Sequence, residues 1–257
     1  ISPNHHQALT CTLGAMRAGV AVAPVHTTDD TRAKAAFLGE VRPDWIFYHS
    51  SMAADMRAIQ PELSPAPRWV CLDDAGLGDP ALDDLLTSEA DTTADWGDVY
   101  GNPEHPVYIR KTSGTTGAPK LLINDVGSFA VVHTAVRHKL DCRGCDPVCL
   151  VAAPLSHAAG VHAFSMLTLG ATLVLLPEFD ASEVLRCIER CRVTHTWLPP
   201  TALYLLLSSP DLHEHDHSSL RSIVLGAAAV SPARLREAVD TFGPIIAVNY
   251  AQIEGGF

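Results

Sequence analysis

The stretch Lys111-Thr112-Ser113-Gly114-Thr115-Thr116-Gly117-Ala118-Pro119-Lys120 decides the reading of this sequence. It crowds glycines, hydroxyl side chains and lysines between two short apolar runs, Val107–Arg110 and Leu121–Ile123. Glycine lets backbone amides approach a ligand and take positive φ without a Cβ clash. Successive amide N–H groups, helped by Ser and Thr hydroxyls, can then wrap phosphate oxygens. Lys120, with Lys111 at the other end, adds charge that strengthens such hydrogen bonds. The Walker A loop is the obvious comparison and fails. Counted from Gly114 it needs Gly before the lysine and Ser or Thr after it, where Pro119 and Leu121 stand. No G-x-G-x-x-G opens a helix after a strand, so a dinucleotide fold has no support. The bland alternative is a flexible hairpin loop, a poorer account of so dense a run that ends in Pro-Lys.

Working outward, strand and helix patterns alternate. Helix near Gln7–Ala18 stops at Gly19 and apolar Val20–Val25 reads as a strand. Helix Thr31–Glu40, strand Trp45–Tyr48, helix Met52–Ile59 and strand Arg68–Leu72 follow. Residues 73–106 are acidic, hold Gly and Pro, and read as a linker. Beyond the loop come helix Gly127–Leu140, strand Val148–Ala152, helix Val161–Leu169 and strand Ala171–Leu176. Helix Ser182–Arg190, strand Thr194–Leu198, helix Thr201–Ser208, strand Ser222–Leu225, helix Pro232–Phe242 and strand Ile245–Asn249 close the series. Near-continuous apolar strands between helices predict an α/β fold, parallel sheets flanked by helices on both faces. The expected division is a first part over 1–106 and a second over 107–257.

Composition narrows the function. The 257 residues are 47% hydrophobic and 18% charged, which excludes a largely disordered chain. A net charge of −11 with no Lys/Arg run argues against a nucleic-acid surface. A small molecule or another protein is the expected partner, and a homo-oligomer is compatible with this composition. Seven cysteines, an odd number in a chain this long, point to a reducing, cytoplasmic setting rather than a disulfide framework. Cys142, Cys145 and Cys149 resemble part of a metal knuckle and Cys187 and Cys191 lie one helical turn apart. Packed segments separate the two groups, so ordinary thiols are the preferred reading over zinc. His213, His215 and His217 alternate in a polar loop and read as solvated surface. The start lacks a secretory signal. From Pro147 to Pro177 no charged residue occurs, but Pro154, Gly160 and Gly170 break the run into buried core rather than a membrane span.

Thr112–Lys120 resembles the phosphate-binding signature of the adenylate-forming enzymes: acyl-CoA synthetases, adenylation domains of peptide synthetases, and luciferases. Four more segments resemble that family in the same order. They are Leu13–Val20 running into Ala23-Pro24-Val25, and Pro154-Leu155-Ser156-His157-Ala158-Ala159-Gly160, similar to PL-x-H-x-x-G. Gly226-Ala227-Ala228 with Ser231-Pro232 is similar to the adenine-side loop, and Asn249-Tyr250-Ala251-Gln252-Ile253-Glu254 to N-x-Y-G-x-T-E. Together they cover essentially the whole chain.

The resemblance implies a two-step reaction. A carboxylate attacks the α-phosphorus of ATP, pyrophosphate leaves, and the acyl adenylate meets a thiol, usually coenzyme A. Positioning and charge stabilisation would carry most of this chemistry. By resemblance, Thr112, Ser113, Gly114, Thr115, Thr116, Gly117 and Lys120 hold the β- and γ-phosphates. Gly226, Ala227, Ala228 and Tyr250 frame adenine, with the Tyr250 ring as a stacking face, and Asn249, Ala251 and Gln252 belong to the same cofactor-binding set. Glu254, with Thr116, holds Mg²⁺, a hard cation suited to oxygen ligands. Lys120, Glu254 and His157 are the implied catalytic set, His157 as a gate at the acyl pocket rather than a base; the alternative for His157 is a helix cap. Tyr250 as a core aromatic and Glu254 as a surface carboxylate are the corresponding alternatives.

Three residues depart from the family pattern: Leu121 and Ala251 replace Gly, and Ile253 replaces the Thr whose hydroxyl meets the α-phosphate. Losing that hydroxyl costs on the order of 1–3 kcal/mol of hydrogen bonding. The chain is expected to be an internal piece of the family's large domain, without the small C-terminal lid domain. Val193–Tyr204 resembles acyl-CoA synthetases more than peptide-synthetase domains, and no Asp stands where an amino group would be bound. A CoA ligase for an aliphatic or aryl acid is therefore favoured. Its rivals are an acid–AMP ligase loading a carrier protein, an inactive ATP-binding relative, and a cysteine-based metal or redox module.

Overall fold

The computed structural model describes residues 1–73, 78–87, 101–112 and 120–252, and divides the chain into two compact units, 1–129 and 130–257. The phosphate-loop residues 113–119 and the terminal 253–257, Ile253 and Glu254 included, lie outside the described residues.

In the first unit, α1 (His6–Arg17) ends where Gly19 takes φ 71°. The Asp30 carboxylate accepts from the Ala33 amide at 2.7 Å and so caps α2 (Thr31–Val41), which stops at left-handed Arg42. β1 (Trp45–Tyr48) pairs in parallel with β2 (Arg68–Cys71) across α3 (Ala53–Ile59). Phe37, Leu38, Ile46, Tyr48, Met56 and Trp69 form the core of this layer. Two expectations change here. Val20–Val25 is not a strand: only Val22 makes an isolated parallel bridge to Tyr108, and Val20 is exposed. The linker over 73–106 contains a helix, α4 (Leu82–Thr87), because Leu82 finds cover against Val70 and Leu72. β3 (Pro106–Lys111) and β4 (Leu121–Asp125) pair antiparallel, a local hairpin beside the expected parallel pairs.

α5 (Val126–Lys139) leads to the second unit, a sheet in the order β6-β5-β7-β8-β9 with every pair parallel. Its strands are β5 (Val148–Val151), β6 (Thr172–Leu175), β7 (His195–Leu198), β8 (Ser222–Leu225) and β9 (Ile246–Val248). The crossovers are α6 (Ala158–Leu167), α7 (Ala181–Cys191), α8 (Pro200–Leu207) and α9 (Pro232–Phe242). Period-two alternation sorts the strands onto two faces. Leu150, Leu198, Ile223 and Leu225 pack with residues of α7, α8 and α9, among them Leu185, Leu203 and Phe242. Cys149, Val151, Trp197 and Val224 pack with residues of α5 and α6, such as Val136 and Met166. Burying one such Leu fully is worth roughly 1.5–3 kcal/mol, which is why the apolar runs read correctly as doubly covered strands. Among the described residues no helix is long and apolar enough to cross a membrane.

Candidate functional site

The strand order fixes where a ligand crevice forms. β5 leads outward to β6 and β7 leads the other way to β8, so the carboxyl ends of β5 and β7 border the switch point of the sheet. A cavity of about 180 Å³ opens there, lined by Ala152, Pro154, Phe179, Pro199, Thr201 and Leu205 among others. The segments after β5, β8 and β9 are the three that sequence motifs singled out.

After β5, the Pro154–Gly160 segment turns into α6. A Cβ on Gly160 would lie 1.9 Å from the Leu155 carbonyl oxygen, so only glycine fits. His157 occupies the N-cap position of α6 but makes no side-chain cap bond; its Nδ1 lies 3.1 Å from Ser156 Oγ and the ring is exposed. The helix-cap alternative therefore does not account for this side chain.

After β8, Gly226 is buried, and a Cβ there would lie 3.1 Å from the Trp197 ring. Trp197 Nε1–H is buried against this glycine with no hydrogen-bond partner among the described residues. Ala227 follows at φ 73°, a left-handed conformation that costs a non-glycine residue roughly 1–2 kcal/mol. Ala228 is exposed beside it. The start of α9 is fixed by the Ser231 amide donating to the Tyr204 hydroxyl at 2.8 Å.

After β9, the Asn249 amide donates to the Leu225 carbonyl at 2.7 Å, tying this segment to the end of β8. Tyr250 is 80% exposed and its hydroxyl accepts from Gln252 Nε2 at 2.5 Å, so the core-aromatic alternative is excluded. Ala251 and Gln252 are exposed too. Gly226–Ala228 and Asn249–Gln252 thus leave neighbouring strands at one edge.

In the first unit, the two ends of the Gly-rich loop are described. The Thr112 amide donates to the Lys120 carbonyl at 2.9 Å, and the Lys120 amide donates to Thr112 Oγ1 at 3.1 Å. The Thr112 hydroxyl is therefore engaged in closing the stem. Lys120 is exposed, whereas Lys111 turns to the Asp29 carboxylate and lies over the Phe37 ring, 5.7 Å from its centroid. Ser113, Gly114, Thr115, Thr116, Gly117 and Glu254 lie outside the described residues. Leu121, a departure from the family pattern, packs against the first unit's core as the opening residue of β4.

Sequence reasoning missed Trp197, Tyr204 and Asp29. Trp197 carries no signal of its own, since it reads as one more core aromatic on a buried strand, 29 positions from the glycine it covers. Asp29 carries none, being 82 positions from its partner.

Cys149 and Cys187, one from each cysteine group, pack on opposite faces of the sheet. Cys149 is buried on β5, where burial pushes its thiol up to about 12, and Cys187 is buried on α7. No group of three or more His, Cys, Asp or Glu among the described residues is placed to hold a metal. Of the polar-loop histidines, His213 is exposed as expected, whereas His215 and His217 are half-buried: His215 Nδ1 lies 2.7 Å from Glu189, and His217 packs edge-on against Phe242. Between α6 and the sheet, burial and neighbouring His195 hold His162 down to about 4. Burial also lowers His195, whose Nδ1 lies 2.7 Å from Thr194 Oγ1.

Known proteins resemble this chain in sequence and in fold. The medium/long-chain-fatty-acid–CoA ligase FadD8 of Mycobacterium tuberculosis is 40% identical over 152 residues, 59% of this chain and 26% of the relative. The indoleacetate–CoA ligase of Aromatoleum aromaticum is 30% identical over 215 residues, 82% of this chain and 41% of the relative. The chain thus spans well under half the length of these curated relatives. Among solved structures, the amide bond synthetase McbA from Marinactinospora thermotolerans superposes with a TM-score of 0.87 at 28% identity, covering 100% of this chain and 50% of that one. The AMP-binding enzyme profile matches residues 1–257, and the chain belongs to that family.

Proposed function

We propose that the protein carrying this chain activates a carboxylic acid with ATP, forming an acyl adenylate and pyrophosphate, and transfers the acyl group to coenzyme A. The single observation that supports it most is the pairing of Gly226–Ala228 and Asn249–Gln252 at the carboxyl ends of adjacent parallel strands. A buried glycine, a left-handed alanine and an exposed tyrosine ring at that edge suit a flat base.

Thr112, the Gly-rich loop and Lys120 would hold the β- and γ-phosphates, and Glu254 with Thr116 would hold Mg²⁺, which supplies charge neutralisation at the phosphates. His157 would gate the acyl side. An acid with an aliphatic or aryl body is proposed as substrate, supported by the apolar lining at the switch point and by the fatty-acid and indoleacetate ligases among the relatives. Coenzyme A is preferred to a carrier protein because those relatives are CoA ligases. The reaction belongs in the cytoplasm, where ATP and CoA are held.

Carboxylate-dependent exchange of labelled pyrophosphate into ATP, measured on the whole protein with fatty, aryl and amino acids, tests this. Exchange with fatty or aryl acids is the expected outcome. ATP binding without exchange would instead identify an inactive relative. Lys120→Ala should raise the KM for ATP by roughly ten- to a hundredfold, as for loss of a charge-assisted hydrogen bond. An unchanged KM would remove Lys120 from the phosphate site.

A further inference from the structure

Ahead of the Gly-rich loop stands a lysine whose ammonium is already engaged. Lys111 ends β3, and its ammonium pairs with the Asp29 carboxylate while lying over Phe37. Both partners of the pair are largely shielded, at 21% and 22% exposed. Asp29 sits on a firm base. Its amide donates to His26 O, and its neighbour Asp30 caps α2. One turn into α2, buried Lys34 donates to the Thr27 carbonyl at 2.9 Å and to Asp55 at 2.5 Å, and Asp55 also accepts from the Thr31 hydroxyl. Segment 26–31 is thus pinned to α2 and α3, and Lys111 is pinned to that segment.

The next residue, Thr112, makes both hydrogen bonds that close the stem on Lys120. A shift at Lys111 would pass directly to Thr112 and so to the direction of the Lys120 backbone. We propose that Asp29 is a positioning residue for ATP: acting through Lys111, it fixes the stem from which the phosphate loop and Lys120 are presented. This rests on the ATP-dependent reading above. It also assigns Lys111 to the scaffold and not to the phosphates, with its charge neutralised by Asp29.

The test is a double-mutant cycle in the whole protein, with Asp29→Asn, Lys111→Met and the pair combined, read by pyrophosphate exchange at varied ATP and varied acid. Each single variant should raise the KM for ATP about tenfold, the scale of a small misplacement of a binding group. The KM for the acid should stay within error, the melting temperature of the single variants should fall by a few degrees at most, and the double variant should be no worse than either single one. Asp29→Glu and Lys111→Arg, which keep the pair, should remain close to wild type. A lower or unchanged KM for ATP in Asp29→Asn would overturn the proposal, the lower value because freed Lys111 would then be serving the phosphates. Effects that multiply in the double variant, or a fall in melting temperature with both KM values raised alike, would overturn it too. If the wild-type protein binds ATP without exchange, the functional reading fails by itself. The dissociation constants for ATP of the same variants then decide the inference, with the same tenfold pattern required.

Discussion

The two units solve the burial of polar groups in opposite ways. The first uses charge: Lys34 is only 2% exposed and is matched by Asp55, and Lys111 is matched by Asp29. The second, among the described residues, buries no Lys, Arg, Asp or Glu; its buried polar side chains are His133, His162, His195, Ser165, Thr194 and Thr196. The loops follow the same division. At the base of the Gly-rich loop a backbone stem is flanked by the Lys111–Asp29 pair, whereas the turn after β5 in the second unit is held by backbone at close quarters, Gly160 against the Leu155 carbonyl. A charged pair on flexible side chains can re-form after an exchange that keeps both signs, because the chains can turn to meet again. Backbone contact at van der Waals distance tolerates none, because a carbonyl cannot move aside without moving its strand or helix.

The sharpest way to break this contrast is Gly160→Ala. The new Cβ would sit 1.9 Å from the Leu155 carbonyl oxygen, well inside contact distance, so the turn after β5 or the first turn of α6 has to shift. The expected cost is about 4 kcal/mol, at the upper end for a single substitution. Chemical denaturation of the purified variant should show the second unit losing its transition or unfolding at far lower denaturant. A midpoint close to wild type would mean that this edge yields as easily as a side-chain contact, and the contrast would fall.

Acid should separate the two units next. His162 has an unfolded value of about 6.5 and is held down to about 4 in the fold, so above pH 6.5 both states are neutral and nothing is lost. Between pH 6.5 and 4 the unfolded chain takes up a proton that the folded one refuses, and about 3 kcal/mol of stability goes with it. His195, lowered too, adds to the same trend from β7, with Asp141 and Arg221 as its charged neighbours. In the first unit, the Lys34 ammonium and the Thr31 hydroxyl hold the Asp55 carboxyl below its ordinary range. That contribution is present above about pH 4 and is lost only in stronger acid. Amide hydrogen exchange, corrected for its intrinsic pH dependence, should therefore show α6, β5 and β7 losing protection by pH 5 while α2 and α3, joined by Lys34 and Asp55, keep theirs. His162→Leu should remove much of that pH dependence. Loss in the first unit before the second would reverse the assignment.

What was legible in the sequence follows from the range of the forces involved. The parallel strands were legible because burial on both faces writes an apolar run that depends on no partner, as in Thr194–Leu198 and Ser222–Leu225. Helix ends at Gly19 and Pro232 were legible because capping and turn chemistry are local. Val20–Val25 misled because β-branched residues favour extension whether or not a ladder forms, and only Val22 finds a partner. α4 was hidden in an acidic segment because two buried contacts, invisible at short range, outweigh its polar composition. Around the site, motif glycines could be named but not explained: Gly160 answers to Leu155 and Gly226 to Trp197, a residue 29 positions away. Asp29 was beyond reach for the same reason, since an ion pair across the fold leaves no periodic trace.

The smallest expected effect bears on why the second unit keeps a strained residue at its edge. Ala227 at φ 73° stores roughly 1–2 kcal/mol that glycine would not. Part of the relief in Ala227→Gly is offset by the greater freedom of glycine in the unfolded chain, leaving a net gain of about 0.5 kcal/mol. Thermal unfolding should rise by a few degrees at most. If the strain serves to hold the loop in shape for a ligand, the same variant should bind ATP a fewfold more weakly, because the loop would sample more conformations before binding. A variant that gains stability and loses affinity would show that this edge is shaped by backbone at the expense of stability, the counterpart of a stem shaped by charge. A variant less stable than wild type would show that the alanine methyl makes a contact worth more than the strain, and Ala227 would then belong with the packed residues rather than with the site.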